Sequence, residues 1–256
     1  MNVIKAIKRA IPARYKPLSY LQRLVEERTR DRVRSGPFEG QMIVFRDTLH
    51  STYVPKVLGL YERELHSTVE EICTRAPSTI LNIGAGDGYY AIGFSQRLRG
   101  ANLIAFEAES RARDNLKRNA TLNGVANQIN VHGSCGPLEL RESLNNASRP
   151  TIICDVEGYE KELLDPASIP ALNDADILVE THDFIVPGVT RLIKDRFSAS
   201  HEITSIRQRE RSAADFPWRT LLTTLMSNRY LEIVVSEGRP EMMTWLWMRA
   251  RVGRIL

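Results

Sequence analysis

The sequence predicts an α/β protein: a doubly wound, mostly parallel sheet with helices on both faces, preceded by a helical N-terminal extension. Three observations carry that expectation. From Ser78 onward, short apolar runs alternate with amphipathic helical stretches. The runs are apolar on both faces, as strands covered on each side must be. The first run opens into Gly84, Gly86 and Gly88, which turn the chain into a helix. In a doubly wound sheet such a turn lies at the carboxyl edge, where ligands bind.

Composition bounds the answer from outside. The 256 residues are 43% apolar and 26% charged, with 15 Gly and 12 Pro, which excludes collagen-like, low-complexity and wholly disordered chains. Cys73, Cys135 and Cys154 are odd in number and lack any C-x-x-C spacing, so a disulfide framework or structural zinc site is not expected. No apolar run approaches the ~20 residues of a membrane span, and no signal-peptide pattern is present. A reducing cytoplasm is the expected compartment. Residues 1–36 hold ten Lys or Arg against Glu26, Glu27 and Asp31, while the remaining residues are slightly acidic. A nucleic-acid groove across the whole protein is therefore not favoured.

Taken in order, residues 1–35 read as two short helices interrupted by Pro12 and Pro17. Their basic, amphipathic character suits either packing on the domain behind or peripheral contact with an anionic lipid surface. A loop with one short strand, Met42 to Phe45, leads to a helix from about Pro55 to Arg75, ended by Pro77. Expected strands then cover Thr79–Ile83, Ala101–Phe106, Gln128–His132, Thr151–Cys154 and Asp176–Val179. Helices cover Tyr89–Leu98, Ser110–Leu122, Leu138–Asn145, Glu160–Leu164 and Val189–Phe197. A strand at Glu202–Arg207, an insert over 208–240 and a last strand at Met242–Met248 complete the chain. The expected division is a basic extension, 1–53, and a domain, 54–256, whose insert is a candidate substrate lid. Within that insert Trp218, Leu221, Leu222 and Leu225 read as a stripe that packs on the domain.

The strand Ala101–Phe106 ends in Glu107, whose carboxylate can accept both hydroxyls of a ribose. Dinucleotide sites favour G-x-G-x-x-G beneath a pyrophosphate. Here the spacing is G-x-G-x-G with Tyr89 and Tyr90 opening the helix, which suits a nucleoside without a diphosphate. At the tips of the fourth and fifth strands stand Asp155, Glu157, Glu180, His182 and Asp183. His182 can act as a general base positioned by Asp155 or Glu157. Alternatively Asp155, Glu180 and Asp183 or His182 can hold a divalent cation such as Mg2+. A third reading makes the carboxylates a structural rim, with Glu157 and Glu160 capping the next helix.

Asn82-Ile-Gly-Ala-Gly-Asp-Gly88 followed by Phe106-Glu-Ala108 resembles motif I and the acidic position after it in class I S-adenosylmethionine-dependent methyltransferases. Cys154-Asp-Val-Glu-Gly-Tyr-Glu160 with Leu163-Leu164 resembles the D-x-E-G-x-E element of the FkbM-type members. The resemblance implies a Rossmann-like sheet of seven strands in the order 3-2-1-4-5-7-6, the last antiparallel. It implies S-adenosyl-L-methionine as cofactor, held by Asn82, Gly84, Ala85, Gly86, Asp87, Gly88, Tyr89, Glu107, Ala108, Ser134 and Asp155. Asn82 departs from the family, which often has an acid there. Lys56, Tyr61 and Glu62 lie on a helix similar to one that precedes motif I. With His182, Asp155, Glu157 and Glu180 as catalytic candidates, the expected reaction is O-methylation of a small molecule or glycan. The alternatives are an NAD-dependent oxidoreductase and a non-catalytic S-adenosylmethionine-binding protein. A carboxylate-rich rim repels phosphates, so a nucleic-acid acceptor is disfavoured. Cys154 follows Ile153 inside an apolar strand and reads as core.

Overall fold

Pro17 opens α1 (Pro17–Thr29), where its missing N–H costs no hydrogen bond. Leu21, Leu24 and Val25 form the buried stripe of that helix. The computed structural model describes residues 16–44, 52–145 and 147–251; the helix expected before Pro12 lies outside them, as does Phe45. The strand expected at Met42 reduces to one antiparallel bridge with Arg32. Gly36 and Gly40, both at positive φ, curl the intervening chain too tightly for a longer ladder. The single helix expected over Pro55–Arg75 is broken in two, α2 (Tyr53–Leu58) and α3 (His66–Arg75), with a 3-10 turn at Arg63–Leu65 between them. Gly59 is the cause: its φ is 71°, and a Cβ there would stand 2.2 Å from the Ser35 carbonyl oxygen.

β1 (Thr79–Ile83) is buried throughout and begins the sheet. After α4 (Tyr89–Arg97), β2 (Asn102–Phe106) pairs with it in parallel. After α5 (Ser110–Leu122), β3 (Ile129–His132) extends that side. The chain then crosses through α6 (Pro137–Asn145) to β4 (Pro150–Cys154), on the other side of β1, and through α7 (Glu160–Leu163) to β5 (Asp176–Thr181). Beyond α8 (Val189–Phe197), β6 (His201–Arg207) takes the far edge. Two short helices follow, α9 (Leu221–Leu225) and α10 (Asn228–Val235). β7 (Thr244–Ala250) then enters antiparallel between β5 and β6. The order is β3-β2-β1-β4-β5-β7-β6, as expected.

One face of the sheet supplies Leu81, Ile83, Ile152, Cys154, Ile177 and Val179 to a continuous core with Leu140, Leu163, Ile193 and Phe197 from α6, α7 and α8. The alternate strand residues Ile80, Leu103 and Ala105 are equally buried, as are Ile92 and Phe94 of α4 and Leu116 of α5. Period-two strands buried on both faces are the physical content of the doubly wound sheet.

By internal contacts the chain forms two compact units. The larger holds the sheet, with described residues 44, 62–145, 147–209 and 239–251. The smaller holds described residues 16–43, 52–61 and 210–238, so most of the insert packs with α1 and α2. Its ion pair Arg211–Glu237, at 2.6 Å, is almost wholly buried. The apolar stripe expected of α9 does not pack: Leu221, Leu222 and Leu225 are 79%, 51% and 75% exposed. The reason is local. Thr220 and Thr223 close a reciprocal capping box that turns Thr223 inward, and the leucines are left on the outer side.

Candidate functional site

Register decides which residues meet at the carboxyl edge. His132, Phe106, Ile83, Cys154 and Val179 stand in one row across five strands. The residues that follow them are Gly133, Glu107, Gly84, Asp155 and Glu180. Five chemically distinct positions are thus lined up by backbone pairing alone.

The glycine loop hangs on β2. Gly84 and Ala85 both donate their N–H to the Phe106 carbonyl. Gly84 must be glycine, because its φ is 78° and a Cβ would fall 1.6 Å from the Asp155 carbonyl oxygen. A Cβ on Gly88 would press on Ile92 and Leu116 at 2.9 Å, so this glycine lets α4 and α5 close beneath the loop. Nothing lies within 4 Å of a Cβ built on Gly86, so the loop is open on that side. The Glu107 carboxylate accepts the Gly86 N–H through Oε2 and the Glu109 N–H through Oε1, each at 2.8 Å. Asn119 Nδ2 donates to the Asp87 carbonyl at 3.0 Å. Asn82 is buried, with its Oδ1 lacking a hydrogen-bond partner. Tyr89 is buried, while the Tyr90 hydroxyl donates to Glu62. Ala108 and Ser134 are exposed near the ends of β2 and β3.

Beside the loop is a dense polar cluster. His182, only 4% exposed, has its Nδ1 2.5 Å from Glu160 Oε1. Its Nε2 faces Asp155 Oδ1 at 3.5 Å and Glu180 Oε1 at 3.8 Å. Glu180 also accepts from Arg239 Nη1 and, through Oε2, from Trp245 Nε1 at 3.2 Å. Arg239 spans to Glu62 with its second nitrogen and lies 5.2 Å from the Trp245 ring centre. Burial disfavours charge on His182, but the Glu160 hydrogen bond and the Asp155, Glu160 and Glu157 carboxylates outweigh it and hold the imidazole above its usual value. Burial, reinforced by Glu62, pushes Asp155 up to about 6 against the pull of His182 and Arg239. Its side chain is 41% exposed overall, yet Oδ1 itself is sealed without a hydrogen-bond partner. Burial and the neighbouring Asp155 and Glu62 push Glu180 up to about 9.

The expected residues therefore separate. Asp155, Glu180 and His182 come together, with one ligand atom of each inside a 4.8 Å span. Asp183 is instead turned onto the start of α8, accepting from Gly188 N–H at 3.1 Å and from the Thr190 hydroxyl. Glu157 is exposed at positive φ. Spacing alone assigns Glu160 to a helix cap, and its Oε1 does accept the Gly158 N–H at 3.1 Å, but the same oxygen grips His182. Glu62, Tyr90 and, six residues apart, Arg239 and Trp245 complete the cluster; Glu62 lies on the stretch similar to a helix ahead of motif I, but no local spacing brings Arg239 to Glu180. The one available signal for Glu160 is its place one turn ahead of Leu163-Leu164, which carries it onto the buried side of α7. Cys154 is buried with its thiol pushed up by burial, which makes it core and not a nucleophile. A separate cavity of about 370 Å³, lined by Ile104, Phe106, His132, Glu139 and Ser143 among others, includes none of the polar cluster.

No protein-family model and no curated protein matches the chain. Solved structures share its fold. Human methyltransferase 10 domain containing protein superposes over 91% of this chain and 96% of its own, with a TM-score of 0.51 at 12% identity. An O-methyltransferase from Bacillus cereus in complex with SAH covers 96% and 97%, with a TM-score of 0.48 at 12% identity. The O-methyltransferase TomG from Streptomyces achromogenes, in complex with SAM, covers 96% and 95%, with a TM-score of 0.47 at 12% identity. The shared feature is the Rossmann-like methyltransferase fold, a sheet in which an antiparallel β7 lies between β5 and β6.

Proposed function

We propose that this protein is an S-adenosylmethionine-dependent methyltransferase that methylates a hydroxyl oxygen on a small molecule or glycan. The observation that carries the reading is the alignment of the open glycine loop, the Glu107 carboxylate and the His182–Glu160 pair along one sheet edge. Dinucleotide-binding sheets run 3-2-1-4-5-6 without an inserted antiparallel strand, so β7 favours this reading over the oxidoreductase. The FkbM-type resemblance of Asp155 to Glu160 and a cytoplasmic location belong to the same proposal.

The residues present fit the cofactor. Gly86 leaves an open surface over the loop, and Glu107 retains acceptor capacity beyond its two backbone bonds for ribose hydroxyls. The part-exposed Asp155 carboxylate, at the tip of β4 beside Gly84, offers an acceptor for the amino end. When bound, the cofactor supplies an electrophilic methyl carbon whose sulfur keeps the bonding pair as the new carbon–oxygen bond forms.

The chain's own part is to take the acceptor's proton. Glu160 accepts the Nδ1 proton of His182 and leaves the Nε2 lone pair facing the Asp155 side of the rim. Nε2 then removes the hydroxyl proton as the oxygen attacks, and the nearby Glu160 and Asp155 carboxylates stabilise the imidazolium that results. A divalent cation on Asp155, Glu180 and His182 is the second reading. The Arg239 guanidinium already sits on Glu180 Oε1, where a cation would have to bind. The base reading is therefore the stronger.

Calorimetric titration with adenosylhomocysteine, and separately with NAD, tests the assignment. Saturable binding of adenosylhomocysteine that weakens at least tenfold in Glu107→Ala supports it. Binding of NAD but not of the nucleoside overturns it. Binding without methyl transfer to any hydroxyl acceptor tried leaves the non-catalytic alternative in its place.

A further inference from the structure

We propose that the smaller unit docks the protein peripherally on an anionic lipid surface through α9. Leu221, Leu222 and Leu225 put three large apolar side chains on five residues of helix, each more than half exposed. Exposed leucines scattered singly need no explanation, but three on one turn form a protruding apolar knob. The capping box holds that turn in place, since Thr220 and Thr223 satisfy each other's backbone and side chain and Thr223 is buried.

The first charged residues on either side of the knob along the chain are both basic, with Asp215 and Glu232 four and three residues beyond them. Arg219 precedes it and Arg229 follows it, both exposed. The Tyr20 hydroxyl and Thr220 Oγ1 are 3.5 Å apart, so the start of α1 adjoins the start of α9. That start brings the exposed Lys16 and the 38%-exposed Leu18. Neither α1, α9 nor α10 carries an acid in its first turn. Leucines that enter the acyl boundary, flanked by cations at headgroup level, are the elements of a peripheral membrane contact. No described helix is long and apolar enough to cross a membrane, so the contact is a docking and not a span. An aqueous protein partner of acidic character would use the arginines but gains less from the three protruding leucines than an acyl boundary does.

The test is sedimentation of the full chain with vesicles of phosphatidylcholine alone and of phosphatidylcholine with one third phosphatidylglycerol. Binding is expected to the anionic vesicles and to be at least tenfold weaker to the neutral ones. Leu221→Glu combined with Leu225→Glu is expected to weaken binding at least tenfold, with thermal unfolding and adenosylhomocysteine affinity unchanged. Arg219→Glu with Arg229→Glu is expected to weaken binding and flatten its salt dependence. Failure of the wild-type chain to bind anionic vesicles overturns the proposal. So does undiminished binding by the leucine variant, which would assign the contact to the N-terminal residues alone. A concentration-dependent dimer that the leucine variant abolishes, without vesicle binding, assigns the knob to a second copy of the chain and also overturns it.

Discussion

Glu160 and His182 are both buried and meet at 2.5 Å between Oε1 and Nδ1. With the Glu160 oxygen as acceptor, Nδ1 is the donor and Nε2 is the basic nitrogen. The contact also explains why the imidazole is held above its usual value despite burial. His182→Ala is expected to lower methyl transfer by about 10²–10⁴-fold, the usual worth of a positioned base. Glu160→Gln removes the anion and lowers the imidazole's pKa. The acidic limb of kcat against pH then moves to lower pH and the plateau falls, while adenosylhomocysteine affinity stays put. An unmoved limb would detach Glu160 from the proton transfer.

The sheet and loop were legible in the sequence because strands covered on both faces, and glycines at a strand end, are local patterns. Glu107 was legible for the same reason: it is the residue after the last apolar position of β2. The environment of His182 was not. A buried Glu that grips a histidine and an exposed Glu that caps a helix look alike one residue at a time, and Glu160 partly does both. Arg239 reaches Glu180 across 59 positions and Glu62 across 177, separations that no periodicity encodes. For α9 the helical spacing was correct but the buried side was reversed, because the capping threonines and not the leucines fix its rotation.

Gly84 and Gly86 both have positive φ but differ in what surrounds them. Gly84→Ala drives a methyl into the Asp155 carbonyl and is expected to cost about 2–5 kcal/mol, combining left-handed strain with overpacking. Gly86→Ala meets no atom within 4 Å and is expected to cost only about 1–2 kcal/mol, from backbone strain alone. Its methyl occupies the open side of the loop, so adenosylhomocysteine affinity is expected to fall at least tenfold. Urea unfolding and calorimetry on the same two variants separate stability from binding. Equal stability losses would mean that the loop relaxes around either methyl.

Arg211 and Glu237 form a pair sealed from solvent inside the smaller unit. Glu237→Ala removes the buried carboxylate from the guanidinium and is expected to cost about 3–5 kcal/mol. Arg211→Met with Glu237→Leu removes both charges and is expected to be within about 1–2 kcal/mol of wild type. Urea unfolding of the three proteins checks the asymmetry. Similar losses in the single and double variants would mean that packing, and not desolvated charge, holds this unit together.

Chelation tests the rim directly. Arg239 already occupies Glu180 Oε1, so exhaustive EDTA treatment is expected to leave turnover unchanged. Added Mg2+ is expected to give no activation. A loss restored by Mg2+ would move catalysis from His182 to a cation held by Asp155 and Glu180.

Glu180 couples the same cluster to stability. Its folded pKa is raised from 4.5 to about 9, so between those values the folded chain keeps a proton that the unfolded chain has released. Where the folded state binds more protons, stability falls as pH rises, by up to about 1.4 kcal/mol per pH unit for one full proton. His182, also raised, acts in the same direction: its contribution is complete below the unfolded pKa and is lost as pH rises through the folded one. Asp155, raised from 3.8 to about 6, adds a decline at lower pH. The expected Tm therefore decreases from pH 5 towards pH 9. Glu180→Gln cannot ionise, and Arg239 keeps Glu62 as its partner in that variant. Its Tm is expected to fall less steeply over the same range and to exceed the wild-type value at the alkaline end. Parallel Tm curves for the two proteins would mean that Glu180 is ionised throughout, as a full partner of Arg239.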